Sequence, residues 1–185
     1  MSEWDALLIT FSARARLLGV RTEQVADASS GAEIVRGEAT VAGITGVVVS
    51  GELRRRAPDL IAAIGERLTV AVGAGPAEVR DAPLALALGH DAYAETGSVL
   101  LAEQDLADRA AGMLSGTLIV VLPTAQLRAG LDDAVARLRE IAIRPGGSYA
   151  TIVTGPSRTA DIERVLTVGV QGPGRVVVLF VDDLG

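Results

Sequence analysis

Gly46-Val47-Val48-Val49-Ser50, then a helix-compatible stretch over residues 59–67, then Leu68-Thr69-Val70-Ala71-Val72 decide the architecture. Both short runs are β-branched and apolar on consecutive positions, the composition of strands buried on two faces. A helix-length segment separates them, so they cannot form a tight hairpin. They read as a β-α-β unit, which implies a largely parallel sheet with right-handed crossovers.

Upstream, Ser2 and Asp5 form a capping box, and Leu7, Leu8, Phe11, Leu17 and Leu18 recur at near-helical spacing up to Gly19, a C-cap residue. An extended piece follows near residues 24–26, and residues 31–39 read as a second helix. Downstream, Leu84, Leu86 and Leu88 alternate with alanines, residues 98–102 form another apolar run, and residues 93–97 are a strand end and turn. Residues 105–113 read as helix. Residues 116–122 are the clearest central strand, stopped by Pro123. A stripe of Leu131, Val135, Leu138 and Ile141 marks a helix over residues 127–141, its charges facing outward. Residues 149–154 (strand), 155–157 (turn), 159–168 (helix) and 175–181 (strand) make a further β-α-β unit. The expected architecture is α/β, three-layered, with a largely parallel sheet. Residues 1–185 read as one domain without repeat or linker, and residues 144–148 as an exposed loop.

Composition removes whole classes of chemistry. The net charge is −6, which makes nucleic acid and anionic membrane surfaces poor partners. All 17 Lys+Arg residues are arginine, excluding a Schiff-base lysine and the lysine-dependent P-loop. There is no cysteine, hence no thiolate zinc site, iron–sulfur ligation or cysteine nucleophile in the chain. The one histidine, His90, is either a solvated or locally hydrogen-bonded loop residue or the sole available base of a catalytic triad. The acidic N-terminus has no secretory signal, and no apolar run approaches a membrane span, so we expect a cytoplasmic protein without membrane insertion.

Gly155-Pro-Ser-Arg-Thr-Ala-Asp-Ile-Glu163 follows a strand and, on this reading, opens a helix at the carboxyl edge of the sheet. Backbone N–H groups and the helix dipole favour an anion there. Gly155, Ser157, Arg158, Thr159 and Asp161 are therefore candidates for binding a small anionic metabolite, with Arg158 as the charged fork. Ordinary helix capping explains the same residues. Glu95-Thr96-Gly97 supplies a second candidate turn. Gly73-Ala74-Gly75 lacks the third glycine of a dinucleotide fingerprint, and Arg54-Arg55-Arg56 and Asp182-Asp183 read as solvated charge runs.

The 155–163 string, followed by Gly169-Val-Gln-Gly-Pro173 and an apolar strand, resembles the signature of the LUD domain family (formerly DUF162; LutC/YkgG-like), which includes lactate-utilisation proteins B and C. Ala94-Glu-Thr-Gly-Ser98 before Val99-Leu-Leu101 is similar to a second block of that family, usually ending in threonine. The resemblance is clear over residues 84–181. Gln171 stands where the family commonly has histidine, and Leu114-Ser115-Gly116 replaces a proline-containing block, so chemistry needing that histidine is not carried over. The resemblance implies a NagB/RpiA/CoA transferase-like fold and a role in oxidising L-lactate to pyruvate beside iron–sulfur lactate-utilisation proteins. Having no cysteine, the chain matches the C-type component. Related CoA transferases place a nucleophilic glutamate in a Glu-x-Gly turn, which would make Glu95 catalytic, with Thr96 and Gly97 beside it; the alternative is a structural turn whose glutamate accepts backbone hydrogen bonds. A stand-alone enzyme or binding protein for an acyl-CoA or phosphorylated metabolite, and an interaction module with a vestigial pocket, are the competing functions. No cofactor is assigned.

Overall fold

A computed structural model describes residues 2–184 apart from 74, 81, 144–148, 161–165 and 169–171; the side chains of 78, 159, 160 and 166–168 are likewise outside the description. The 144–148 loop, Asp161 and Gln171 therefore lie outside the described residues, as does the side chain of Thr159.

The chain runs α1 (Glu3–Leu17), β1 (Arg21–Asp27), α2 (Ala28–Ala42), β2 (Gly46–Val49), α3 (Gly51–Arg56), α4 (Pro58–Gly65), β3 (Thr69–Ala71), α5 (Pro76–Val79), β4 (Leu84–Leu88), β5 (Asp91–Tyr93), β6 (Ser98–Leu101), α6 (Leu106–Leu114), β7 (Thr117–Pro123), a short turn of 3-10 helix (Thr124–Gln126), β8 (Leu127–Arg128), α7 (Asp132–Ala142), β9 (Thr151–Val153), β10 (Arg158–Ala160), β11 (Leu166–Val168) and β12 (Arg175–Asp183). The capping box forms as the sequence suggests: the Ser2 hydroxyl accepts from the Asp5 N–H at 3.1 Å, and the Asp5 carboxylate accepts from the Ser2 N–H at 2.7 Å. The helix closes at Gly19, where the Gly19 and Val20 N–H groups return to the carbonyls of Arg16 and Ala15.

Six strands form one sheet in the order β1-β12-β7-β4-β2-β3, with every neighbouring pair parallel. Its central strands are apolar on both faces, and each face has its own cover. Ala85, Ala87, Leu118, Val120, Leu122, Val176, Val178 and Phe180 pack toward α1, α6 and a second sheet. The intervening Leu84, Leu86, Leu88, Ile119, Val121, Val177, Leu179 and Val181 pack toward α2, α3 and α4. The alternation of leucine and alanine in β4 is thus a choice of size between two buried faces, not of inside against outside. Phe180 meets Phe11 of α1 edge-on, with ring centroids 5.3 Å apart.

Four differences from the sequence reading follow from tertiary context. Residues 68–72 do not make a buried strand: β3 is a short, mostly exposed edge strand. Residues 127–141 do not make one helix. Leu127–Arg128 pairs as β8 with β5, and α7 begins only at Asp132; of its apolar stripe Ile141 is buried, whereas Val135 is half exposed. Strand β9 is not part of the parallel sheet. It joins β8, β5 and β6 in a separate sheet, order β8-β5-β6-β9, where β6 pairs antiparallel with both neighbours. Its outer face carries Tyr93, Leu100 and Ala102 against Ala134 and Ile141 of α7. Finally, the helix expected over residues 159–168 is replaced at both described ends by strands β10 and β11, paired antiparallel. Thr167 and Val168 are β-branched and favour an extended chain, and Pro-Ser-x-Thr can cap only a helix that follows it.

Candidate functional site

The two motifs singled out in the sequence do meet. Strands β6 and β9 pair through Val99 and Val153, and the Ser98 and Thr154 hydroxyls lie 2.8 Å apart. This brings the 94–97 turn beside Gly155. Both then press against the C-terminal end of α1. Gly97 has φ +66, and a Cβ there would lie 2.6 Å from the Ala15 nitrogen. Gly155 has φ +103, and its Cβ would lie 3.2 Å from the Leu18 carbonyl oxygen. Only glycine fits either position.

The Arg158 and Glu95 side chains at this junction are engaged in structure. Arg158 donates from Nη2 to the Leu18 carbonyl, and the Ser157 N–H donates to the Pro173 carbonyl. Glu95 accepts the Leu131 N–H at 3.2 Å, serving the start of α7. The Thr96 hydroxyl is buried without a partner among the described residues. Because Leu18, Val20 and Pro173 precede β1 and β12, this junction sits at the amino edge of the parallel sheet. It is not the carboxyl edge expected from the sequence, since β9 belongs to the other sheet, and no helix begins at Arg158 to supply a dipole.

The carboxyl edge carries a different set of residues. Neighbouring strands β2 and β4 send their chains in opposite directions, β2 outward to β3 and β4 inward toward β7. Such a switch point opens a crevice beyond the strand ends, where open α/β sheets bind ligands. Two adjoining clefts occupy it. One, of about 530 Å³, is lined by Arg56, Gly89, His90, Gln126 and Arg137; the other, of about 560 Å³, by Gly51, Val72, Gly73, Gln104, Asp105 and Asp108. Glu52 lines both.

His90 is largely buried there, its Nε2 3.3 Å from Glu52 Oε2, while its backbone N–H donates to the Leu100 carbonyl. The adjacent Asp91 is buried and clamped by two arginines, Arg128 Nε at 3.2 Å and Arg137 Nε at 2.7 Å. Both guanidinium groups also donate to Oε1 of Gln126, fixing that amide. Arg137 therefore faces inward, against the expectation that the charges of α7 point to solvent. Among the described residues Arg56 makes no ion pair, which leaves its exposed fork at the mouth of the cleft.

On the other side, Asp108 accepts the Gly51 N–H with both carboxylate oxygens at 2.9 Å, and Asp105 caps α6 by accepting the Ala107 N–H at 2.7 Å. Burial raises the pKa of Asp108. Glu103, 4% exposed, lies behind this wall, and its Oε1 has no hydrogen-bond partner among the described residues. Burial, reinforced by the Asp108 and Glu52 charges and only partly offset by Arg109, pushes its pKa up to about 8. Among the described residues no cluster of three or more His, Asp or Glu is arranged to hold a metal ion, and no helix is long and apolar enough to cross a membrane.

Sequence reasoning missed Glu52, Gln126 and Arg137 because the contacts that bring them together span 11 to 46 positions, and it read Arg56 as part of a solvated charge run. The usable signal was positional: each lies just past a strand end of the β-α-β pattern, or on the helix that faces one.

Comparison with known proteins agrees with this architecture. The lactate utilization protein C of Geobacillus kaustophilus is 34% identical over 105 residues, 55% of this chain and 43% of that protein. That of Bacillus velezensis is 34% identical over 93 residues, 49% of this chain and 38% of that protein. The chain thus spans about two-fifths of the length of the curated relatives it matches. A DUF162 family protein from Deinococcus radiodurans shares the fold, with a TM-score of 0.67 over 98% of this chain and 99% of that one at 23% identity. The LUD domain model matches residues 84–181, more than half of the sequence, and the chain belongs to the LUD domain family.

Proposed function

We propose that this chain is a lactate-utilisation protein C-like component of an L-lactate to pyruvate oxidation system, and that it holds the small carboxylate in the cleft at the carboxyl edge. The observation that carries the reading is the donor set in that cleft: Arg56, His90, Gln126 and Arg137 around one crevice, three of them inside the region that matches the family. Arg56 offers a permanently charged fork to a carboxylate. His90, held by Glu52, is the group suited to take or return the proton of a substrate hydroxyl. The Cα–H bond breaks as well, and with no cysteine in the chain its proton and the two electrons of the oxidation go to iron–sulfur lactate-utilisation proteins as partners. Gly97, Gly155 and Arg158 then serve to hold the second sheet against the end of α1, Glu95 serves the start of α7, and Thr96 and Ser157 belong to the same two turns.

The test is genetic. In a bacterium whose own lactate utilization protein C is deleted but whose iron–sulfur components remain, this chain should restore growth on L-lactate, and Arg56→Ala should not. Failure of the folded wild-type chain to restore growth, or full restoration by Arg56→Ala, would contradict the reading.

A further inference from the structure

The two clefts at the carboxyl edge differ in polarity. Arg56 and Gln126 give the first its donors, because the Gln126 oxygen is already taken by Arg128 and Arg137 and its amide nitrogen is not, while Arg137 is held by Asp91, Glu140 and Gln126 and His90 by Glu52. The second is richer in acceptors, although Arg55 and Gln104 also line it: the carboxylates of Asp105 and Asp108 retain lone pairs after capping α6 and α3, and Glu52 stands where the clefts meet. Val72 and Gly73 form the apolar part of its wall.

A three-carbon acid fills a small part of one cleft, whereas crevices of several hundred Å³ are the size that encloses a much larger ligand. We propose that the whole crevice takes a nucleoside phosphate. The phosphate lies in the donor half against Arg56, where a charged fork and neutral donors suit it. The ribose hydroxyls donate to Glu52 and Asp105, the pairing that a carboxylate beyond a strand end makes with a ribose diol. The base lies on Val72 beside Gly73. This inference shares the donor half with the function proposed above and rests on that reading only there.

Titration calorimetry of the full chain with ADP, adenosine, inorganic phosphate and L-lactate tests it, with each variant checked for folding by circular dichroism. ADP should bind the wild type at least about tenfold more tightly than phosphate or adenosine alone. Val72→Trp fills the acceptor half and should cost ADP about tenfold or more while leaving phosphate binding unchanged. Asp105→Asn, which keeps a helix-capping side chain, should also weaken ADP and decides the matter if Val72→Trp does not fold. No binding of ADP to the wild type, or affinity for ADP unchanged in the folded variants, overturns the inference. Binding of L-lactate without ADP overturns it and leaves the lactate reading standing. Binding of ADP that is lost in Val72→Trp, with no binding of L-lactate, upholds it and removes the lactate reading.

Discussion

Replacing Glu103 by glutamine should change the pH dependence of stability more than any other single substitution near the cleft. In the folded chain this carboxyl is almost wholly buried, one oxygen has no partner among the described residues, and the Asp108 and Glu52 charges act on it against the opposing charge of Arg109. Its pKa is therefore raised to about 8 from the ordinary 4.5 of the unfolded chain. Between those values the folded protein keeps a proton that the unfolded chain releases. The contribution of Glu103 to stability is thus fully present below pH 4.5 and is lost as pH rises toward 8. The interval corresponds to roughly 5 kcal/mol, of which roughly 4 should be lost between about pH 5 and pH 9. Glutamine keeps the shape of the neutral acid and cannot ionise. Urea unfolding of wild type and Glu103→Gln across that range should show the variant gaining roughly 4 kcal/mol relative to wild type at the alkaline end, a midpoint displacement of about 2 M urea. Parallel pH profiles of the two proteins, or a wild type that gains on the variant as pH rises, would refute the reasoning.

Three further substitutions probe the frame around the cleft. Phe180→Ala removes the ring that meets Phe11 in the core and should lower the unfolding free energy by about 3–5 kcal/mol in urea titrations. Gly97→Ala forces a Cβ against the backbone of α1 at a left-handed residue and should cost at least about 2 kcal/mol, seen as a lower Tm. An unchanged Tm would show that the turn does not press on the helix. Asp91→Asn takes the anion from between Arg128 and Arg137 and should destabilise by about 3 kcal/mol, with salt restoring little of the loss because the site is buried.

Local chemistry made much of the fold readable. Ser2 and Asp5 announce α1, the β-branched runs at 46–49 and 117–122 announce parallel strands, and Gly97 and Gly155 mark the two turns that meet. The second sheet was hidden because its strands are two to four residues long and β6 pairs antiparallel with β5 and β9 within a β-α-β pattern, so β9 looked like another parallel strand. That single misplacement moved Arg158 from the amino edge to the carboxyl edge and suggested a helix where strands β10 and β11 form. The family motifs were legible as sequence but say less about chemistry than about packing: their glycines fit against α1, and Arg158 reaches a backbone carbonyl. The cleft was harder to see. His90 and Glu52 are 38 positions apart, and Arg137 reaches Asp91 across 46, so only the folded sheet brings donors to one wall.

The most direct test of the account places the two candidate arginines against each other. L-Lactate is titrated calorimetrically into wild type, Arg56→Ala and Arg158→Ala at matched folded fraction. With Arg56 at the mouth of the carboxyl-edge cleft and Arg158 bonded to Leu18, Arg56→Ala should weaken binding by about tenfold or more, and Arg158→Ala should leave it unchanged. Loss of binding in Arg158→Ala with full affinity in Arg56→Ala would contradict the account and return the site to the turn at the amino edge.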